Sequence, residues 1–179
     1  ATNARIHAPA DGSGVGGYLV SCFSETMEKL GIEVLLETKA NEIIMVDGAA
    51  AGVKAESPDK ELTINAKAVI LTTGGFGANE EMYCTYRPDL KGTVTTNAPG
   101  ATGDGIVMAQ AVGADLVDIE QIQLHPTVEQ ATSMLITEGV RGDGAILVNQ
   151  SGVRFVNELL TRDVVSAAEL EQEGQYAYV

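Results

Sequence analysis

Apolar positions along the chain follow two alternating periods. Leu19, Cys22, Phe23, Thr26, Met27 and Leu30 recur at steps of three and four, which predicts an amphipathic helix stopped by Gly31. Residues 32–36 (IEVLL) form a short apolar run that reads as a strand. Strand patterns then fall at 40–46, 52–56 and 61–66. Asp47-Gly48 supplies a hairpin turn between the first two, and Pro58-Asp59 a second turn, so a three-strand meander is expected. Residues 67–72 (KAVILT) make another apolar strand that runs into Thr73-Gly74-Gly75-Phe76-Gly77. A buried strand ending in paired glycines lets a ligand approach the backbone at a sheet edge.

The second half is more broken. A short helix is expected at 79–86, with Asn79 as its cap, Glu80 and Glu81 in its first turn, and an end before Pro88. Residues 93–98 are Thr-rich and irregular. The glycine loop 99–105 opens onto a helix at 106–112, closed by Gly113. Such a loop is either an anion or phosphate site or an ordinary capped turn. An extended stretch at 117–124, short strands at 145–148 and 153–157, and a helix at 163–172 with Val164, Ala167, Ala168 and Leu170 inward complete the pattern. Residues 176–179 begin a strand that Val179 leaves unfinished.

The 179 residues suffice for one domain or one and part of another, and 45% hydrophobic content is enough to build a core. A net charge of −14 with no basic cluster argues against nucleic acid or an anionic membrane as partner. It does not exclude a small anionic substrate. Cys22 and Cys84 belong to no paired motif and read as small buried hydrophobes, and no metal site is expected. No run approaches the roughly 18 apolar residues of a membrane span, and residues 1–11 lack a signal-peptide pattern. The compartment, cytoplasmic or periplasmic, is left open.

Chemistry concentrates at 122–162. This stretch holds His125, one of two histidines beside His7, and gathers Thr137, Glu138, Arg141 and Arg162, residue types that grip a carboxylate and move a proton. Taken alone, His125 reads as a satisfied core or turn histidine and Arg162 as a helix-start surface arginine. Gly12, Gly14 and Gly17 fit G-x-G-x-x-G, with Glu37 twenty residues beyond Gly17. No apolar strand leads into Gly12, so the dinucleotide reading is weak.

Six motifs in order carry a family resemblance: 68–76 (AVILTTGGF), 97–105 (NAPGATGDG), 123–127 (QLHPT), 137–142 (TEGVRG), 144–149 (GAILVN) and 161–163 (TRD). Together they span most of the chain, which resembles the flavoprotein family of fumarate reductases and succinate dehydrogenases, closest to the soluble flavocytochrome c type. The resemblance implies a mixed α/β fold. Residues 1–118 would be the middle part of a glutathione-reductase-like FAD-binding domain carrying the meander, and 119–179 the start of an α+β capping domain. The family's N-terminal glycine fingerprint and its downstream His and Arg find no match, so the chain is expected to be a fragment.

The resemblance also implies roles. FAD would lie against Gly16, Gly17, Thr73, Gly74, Gly75, Gly103, Asp104 and Gly105, with Asp104 able to cap the following helix as well. Arg162 would donate the proton, with Glu138 and Arg141 as a relay; three residues apart on one helical turn, these two could pair. His125 and Thr137 would hold one carboxylate of a dicarboxylate, with Gln123 near flavin and substrate. The expected activity is reduction of an α,β-unsaturated carboxylate, fumarate first, served by an electron-donor protein or domain bearing haem or FMN. The alternatives are a succinate dehydrogenase subunit, a urocanate-type or ketosteroid enzyme, or a non-catalytic remnant.

Overall fold

Helix and turn positions are set where local residues can satisfy the backbone. The computed structural model describes residues 8–179, so His7 lies outside the described residues. The described residues divide into two units, residues 8–40 with 55–62, and residues 41–54 with 63–179.

In the first unit, α1 spans Val15–Lys29. Gly31, at φ +65°, donates to Glu28 O, and the Ile32 amide reaches back to Met27 O, so glycine ends the helix as expected. Leu19, Phe23 and Leu30 of its apolar face are exposed and Cys22 is half-buried, contrary to the expected burial of that cysteine. Residues 32–36 are not a strand. A strand exists through its ladder, and none of the described strands pairs with them.

The meander forms as read. β1 (Lys39–Val46), β2 (Ala49–Ser57) and β3 (Lys60–Asn65) make one sheet in sequence order. Asp47 and Gly48 both take positive φ, the signature of a tight hairpin turn. Gly52 sits at φ +155°, where a Cβ would run into the backbone carbonyl of Ile64.

In the second unit, α2 (Glu80–Tyr86) is capped by Asn79, whose Oδ1 accepts from the Met82 amide at 3.0 Å. α3 (Asp104–Ala111) begins two residues earlier than expected. Its cap is Gly103 at φ +84°, so Asp104 is the first helical residue rather than the cap, and its carboxylate accepts from Thr102 Oγ1 at 2.9 Å. Cys84 is half-buried rather than buried. Residues 67–72 are irregular, with Ile70 85% exposed, for the same want of a ladder as 32–36. Residues 117–124 turn at Asp118 (φ +53°) rather than running extended.

A small hairpin that the pattern did not show follows: β4 (Val128–Glu129) pairs with β5 (Met134–Leu135). Then come α4 (Glu138–Gly142) and α5 (Arg162–Leu170). The strands expected at 145–148, 153–157 and 176–179 shrink to bridges from Val148 to Arg154 and to Tyr178. Among the described residues, Leu90, Leu147 and Val165 are the largest fully buried side chains. On α5 the inward residues are Val165 and Ser166, while Val164 and Leu170 are exposed. Arg162, Val165, Ser166 and Glu169 share one face at i, i+3, i+4 and i+7. Three of the four are polar, which is why apolar periodicity chose the wrong face.

Gly52→Ala is expected to cost about 1–3 kcal/mol, the usual range for overpacking, read as a lowered urea midpoint. Gly100→Ala, where an added Cβ meets nothing within 4 Å, is expected to leave the midpoint within about 0.5 kcal/mol.

Candidate active site

The β4–β5 register builds the site. Val128 faces Leu135 and Glu129 faces Met134. The pairing continues outward: the Ile136 amide donates to Thr127 O at 3.0 Å, and Thr127 Oγ1 donates to Ile136 O at 2.7 Å. Carried two residues further, the same register sets His125 opposite Glu138. Thr127, 3% exposed, is the buried pin of this arrangement.

His125 Nδ1 accepts the Thr127 amide at 3.2 Å, so in the neutral ring the proton sits on Nε2. Nε2 lies 3.3 Å from Glu138 Oε1 but is too poorly aligned for a hydrogen bond, so this buried donor lacks a well-made partner. From the start of α5, Arg162 Nε donates to the same Glu138 Oε1 at 2.5 Å, and its Nη2 also pairs with that oxygen. Arg162 Nη1 donates to Gln123 Oε1 at 2.6 Å. Gln123, His125, Glu138 and Arg162, spread over 39 positions of sequence, thus form one connected cluster.

The Glu138 carboxyl is pushed down to about 2. Its own backbone amide at the start of α4 contributes most, burial opposes, and Arg162 and His125 lower it further. The carboxylate is ionised at any ordinary pH.

Two expected members sit differently. Arg141 does not pair with Glu138. It is 4% exposed, its Nη1 donates to Glu158 O at 2.9 Å, and its Nε has no partner. Thr137 is exposed at the cap position of α4 and makes no side-chain cap bond.

The glycines divide by role. A cavity of about 660 Å³ is lined by Gly75, Gln123, His125, Ser166 and Glu169 among others. Gly74, at φ +75°, and Gly75 have open space where a Cβ would stand, so their backbone is bare to the approach of a flat ring such as a flavin's. Gly103 and Gly105 instead let chain segments touch. A Cβ on Gly103 would strike Met82 and Phe76, and one on Gly105 would strike the Thr73 side chain. The Gly103 amide donates to Gly75 O at 3.1 Å, so these residues and Thr73 buttress the glycine pair from behind. Gly16 and Gly17 lie in the first turn of α1, in the other unit, with nothing within 4 Å of an added Cβ.

The sequence reading missed Ser166 and Glu169. Ser166 is 5% exposed and its Oγ has no partner. Burial pushes the Glu169 carboxyl up to about 7, against the Ala177 amide and the Arg141 guanidinium, which pull it down. The polar i, i+4, i+7 spacing from Arg162 was the available signal.

The two carboxyls make opposite contributions to stability. Glu138 binds its proton more weakly folded than unfolded, so its contribution is present above about 4.5 and lost as pH falls toward 2. Glu169 binds its proton more tightly when folded, so its contribution is present below about 4.5 and lost as pH rises through 7. Urea titrations across pH should therefore show Glu138→Gln flattening the acid limb and Glu169→Gln flattening the slope between about 4.5 and 7. An unchanged profile in either variant would refute the corresponding assignment.

The family model described as FAD binding domain matches residues 2–178. The chain is 52% identical over 176 residues to the NADH:fumarate oxidoreductase of Klebsiella pneumoniae (strain 342), covering 98% of this chain and 19% of that protein. It is 43% identical over 177 residues to the fumarate reductase (cytochrome) of Shewanella frigidimarina, covering 98% of this chain and 31% of that protein. The open conformation of a flavocytochrome c3 fumarate reductase superposes with a TM-score of 0.83 at 39% identity, over 97% of this chain and 31% of that one. The chain therefore spans a fifth to a third of the length of these relatives. Matched from end to end by the family model, it belongs to the FAD binding domain family, among the fumarate reductase flavoproteins, and its cofactor is FAD.

Proposed function

We propose that this chain is part of an enzyme that reduces the double bond of an α,β-unsaturated carboxylate, fumarate first among them. The observation that carries the reading is Arg162 gripped between Glu138 and Gln123, with His125 against the same carboxylate. Residues to 118 would belong to the flavin side and residues from 119 to the capping side. Reduced FAD supplies the hydride for one alkene carbon, renewed by an electron-donor protein or domain.

Arg162 gives the proton to the other carbon. A guanidinium has five N–H groups, and the two partners do not use them all. Arginine is a poor acid, so its proton must be replaced in concert. Glu138 Oε1, in contact with Arg162 Nε, is the atom that returns it. A carboxyl near 2 holds a proton only in passing at neutral pH, so Glu138 hands protons on rather than storing them. Arg141, one helical turn beyond Glu138 and directed to Glu158 O, would turn to Glu138 to act as the further member of this relay.

His125 Nε2–H and the Thr137 hydroxyl would bind one substrate carboxylate. The poorly aligned contact between His125 and Glu138 leaves that N–H able to turn to a substrate oxygen. Gly74 and Gly75 would lie against the flavin ring. Gly103, Asp104 and Gly105 would support that contact from behind, and Gly16 and Gly17 would meet the cofactor from α1.

The test is fumarate-dependent oxidation of a reduced viologen by the intact protein. Arg162→Ala is expected to lose several decades of rate, at about 1.4 kcal/mol per decade, while keeping its flavin absorbance. A mutant that keeps its rate would remove the proton-donor role. A wild type that ignores fumarate but reduces urocanate would move the substrate class. Faster succinate oxidation than fumarate reduction would instead favour a dehydrogenase.

A further inference from the structure

Arg162 is useful only if its guanidinium is aimed, and aiming it takes more than Glu138 and Gln123. Both partners are on the surface side of the cluster, and Arg162 itself is 41% exposed. Its backbone is set by the segment before it. Residues 154–161 have no helix or strand of their own beyond the single bridge at Arg154. What fixes them is Glu158, a charged side chain only 3% exposed.

Glu158 Oε1 accepts the Leu147 amide at 2.8 Å and Arg154 Nε at 3.0 Å, and Oε2 accepts Arg154 Nη2 at 2.7 Å. Its backbone carbonyl accepts Arg141 Nη1 at 2.9 Å. Burial alone would raise this carboxyl, but Arg154 and the Leu147 amide outweigh it and hold the group ionised. Leu147 is fully buried, so the carboxylate ties the segment to a core position. Arg141 ties the same residue to α4.

The spacing gives the clamp its meaning. Glu138 lies three residues before Arg141 on α4, and Arg162 lies four residues after Glu158 at the start of α5. The Arg141–Glu158 contact therefore sets the distance between the helix starts that carry Glu138 and Arg162. We propose that Glu158, held by Arg154, Leu147 and Arg141, is a positioning residue for Arg162 and fixes the guanidinium at the distance proton delivery needs. Arg141 then serves as a structural tie as well as a relay member. The inference rests on the reading of Arg162 given above.

Glu158→Gln is the informative change, because it keeps the shape and one acceptor while removing the charge that Arg154 grips. In the intact protein it should retain flavin absorbance and KM for fumarate, and lower kcat on the order of a hundredfold, the scale of an ångström misplacement at a reacting centre. In an Arg162→Lys background the same change should cost nothing further, since contacts acting through one group are non-additive. Additive losses in the two backgrounds, or flavin release in both, would overturn the proposal in favour of a purely structural role.

A second readout does not depend on turnover. The rate at which phenylglyoxal labels Arg162, followed by peptide mass spectrometry, should change several-fold in Glu158→Gln while labelling of Arg87 stays the same. No change at Arg162 would overturn the clamp even if activity fell. If the unmutated protein reduces no enoate, the functional reading fails and the labelling still decides the clamp. Should Glu158→Gln not fold, Arg154→Lys loosens the same carboxylate from a half-exposed position and is judged by the same two readouts.

Discussion

One oxygen, Oε1 of Glu138, is where three separately built segments meet. The β4–β5 hairpin brings His125 to it, α4 presents it, and α5 delivers Arg162 to it. Each segment is too short to hold its own place: two-residue strands, a five-residue helix, and the first turn of a nine-residue one. Their convergence depends on buried polar pins, Thr127 under the hairpin and Glu158 under the helix starts. A carboxylate shared between a guanidinium and an imidazole N–H stays ionised, and that charge keeps the arginine in place.

Buried ionised groups are costly unless every lone pair and proton is matched. Glu158 comes close to that condition, with the Leu147 amide and Arg154 Nε on Oε1 and Arg154 Nη2 on Oε2. Arg141 meets it only in part, since its Nε is buried without a partner. Farther along α5, two polar residues, Ser166 and Glu169, line the cavity.

The glycines show two uses of one missing side chain. At Gly52, Gly103 and Gly105 the absent Cβ lets backbone or side chains of this chain approach. At Gly74 and Gly75 the space stays open, and the bare backbone faces outward. The sequence motif treats 73–75 and 103–105 alike, yet packing leaves Gly74 and Gly75 open while Gly103 and Gly105 meet this chain's own side chains.

What residues decide among near neighbours was legible without coordinates. The Asn79 cap, the Gly31 and Gly113 stops and the Asp47-Gly48 turn all follow from hydrogen bonds within a few positions. The six ordered motifs identified the family, and with it Gln123, His125, Glu138 and Arg162 as a group. Tertiary structure alone decided the rest. Apolar runs at 32–36 and 67–72 did not become strands, because a strand is made by a partner that its own residues cannot specify. The buried face of α5 carries Val165 and Ser166 rather than the expected Val164 and Leu170, and Arg162 at its start is held by Glu138 and Gln123. Arg141 points to the Glu158 carbonyl, seventeen residues away, while the Glu138 carboxylate one turn back is taken by Arg162. Helix caps and turns are settled by short-range bonding, whereas the direction of a charged side chain is settled by what the folded chain brings within reach.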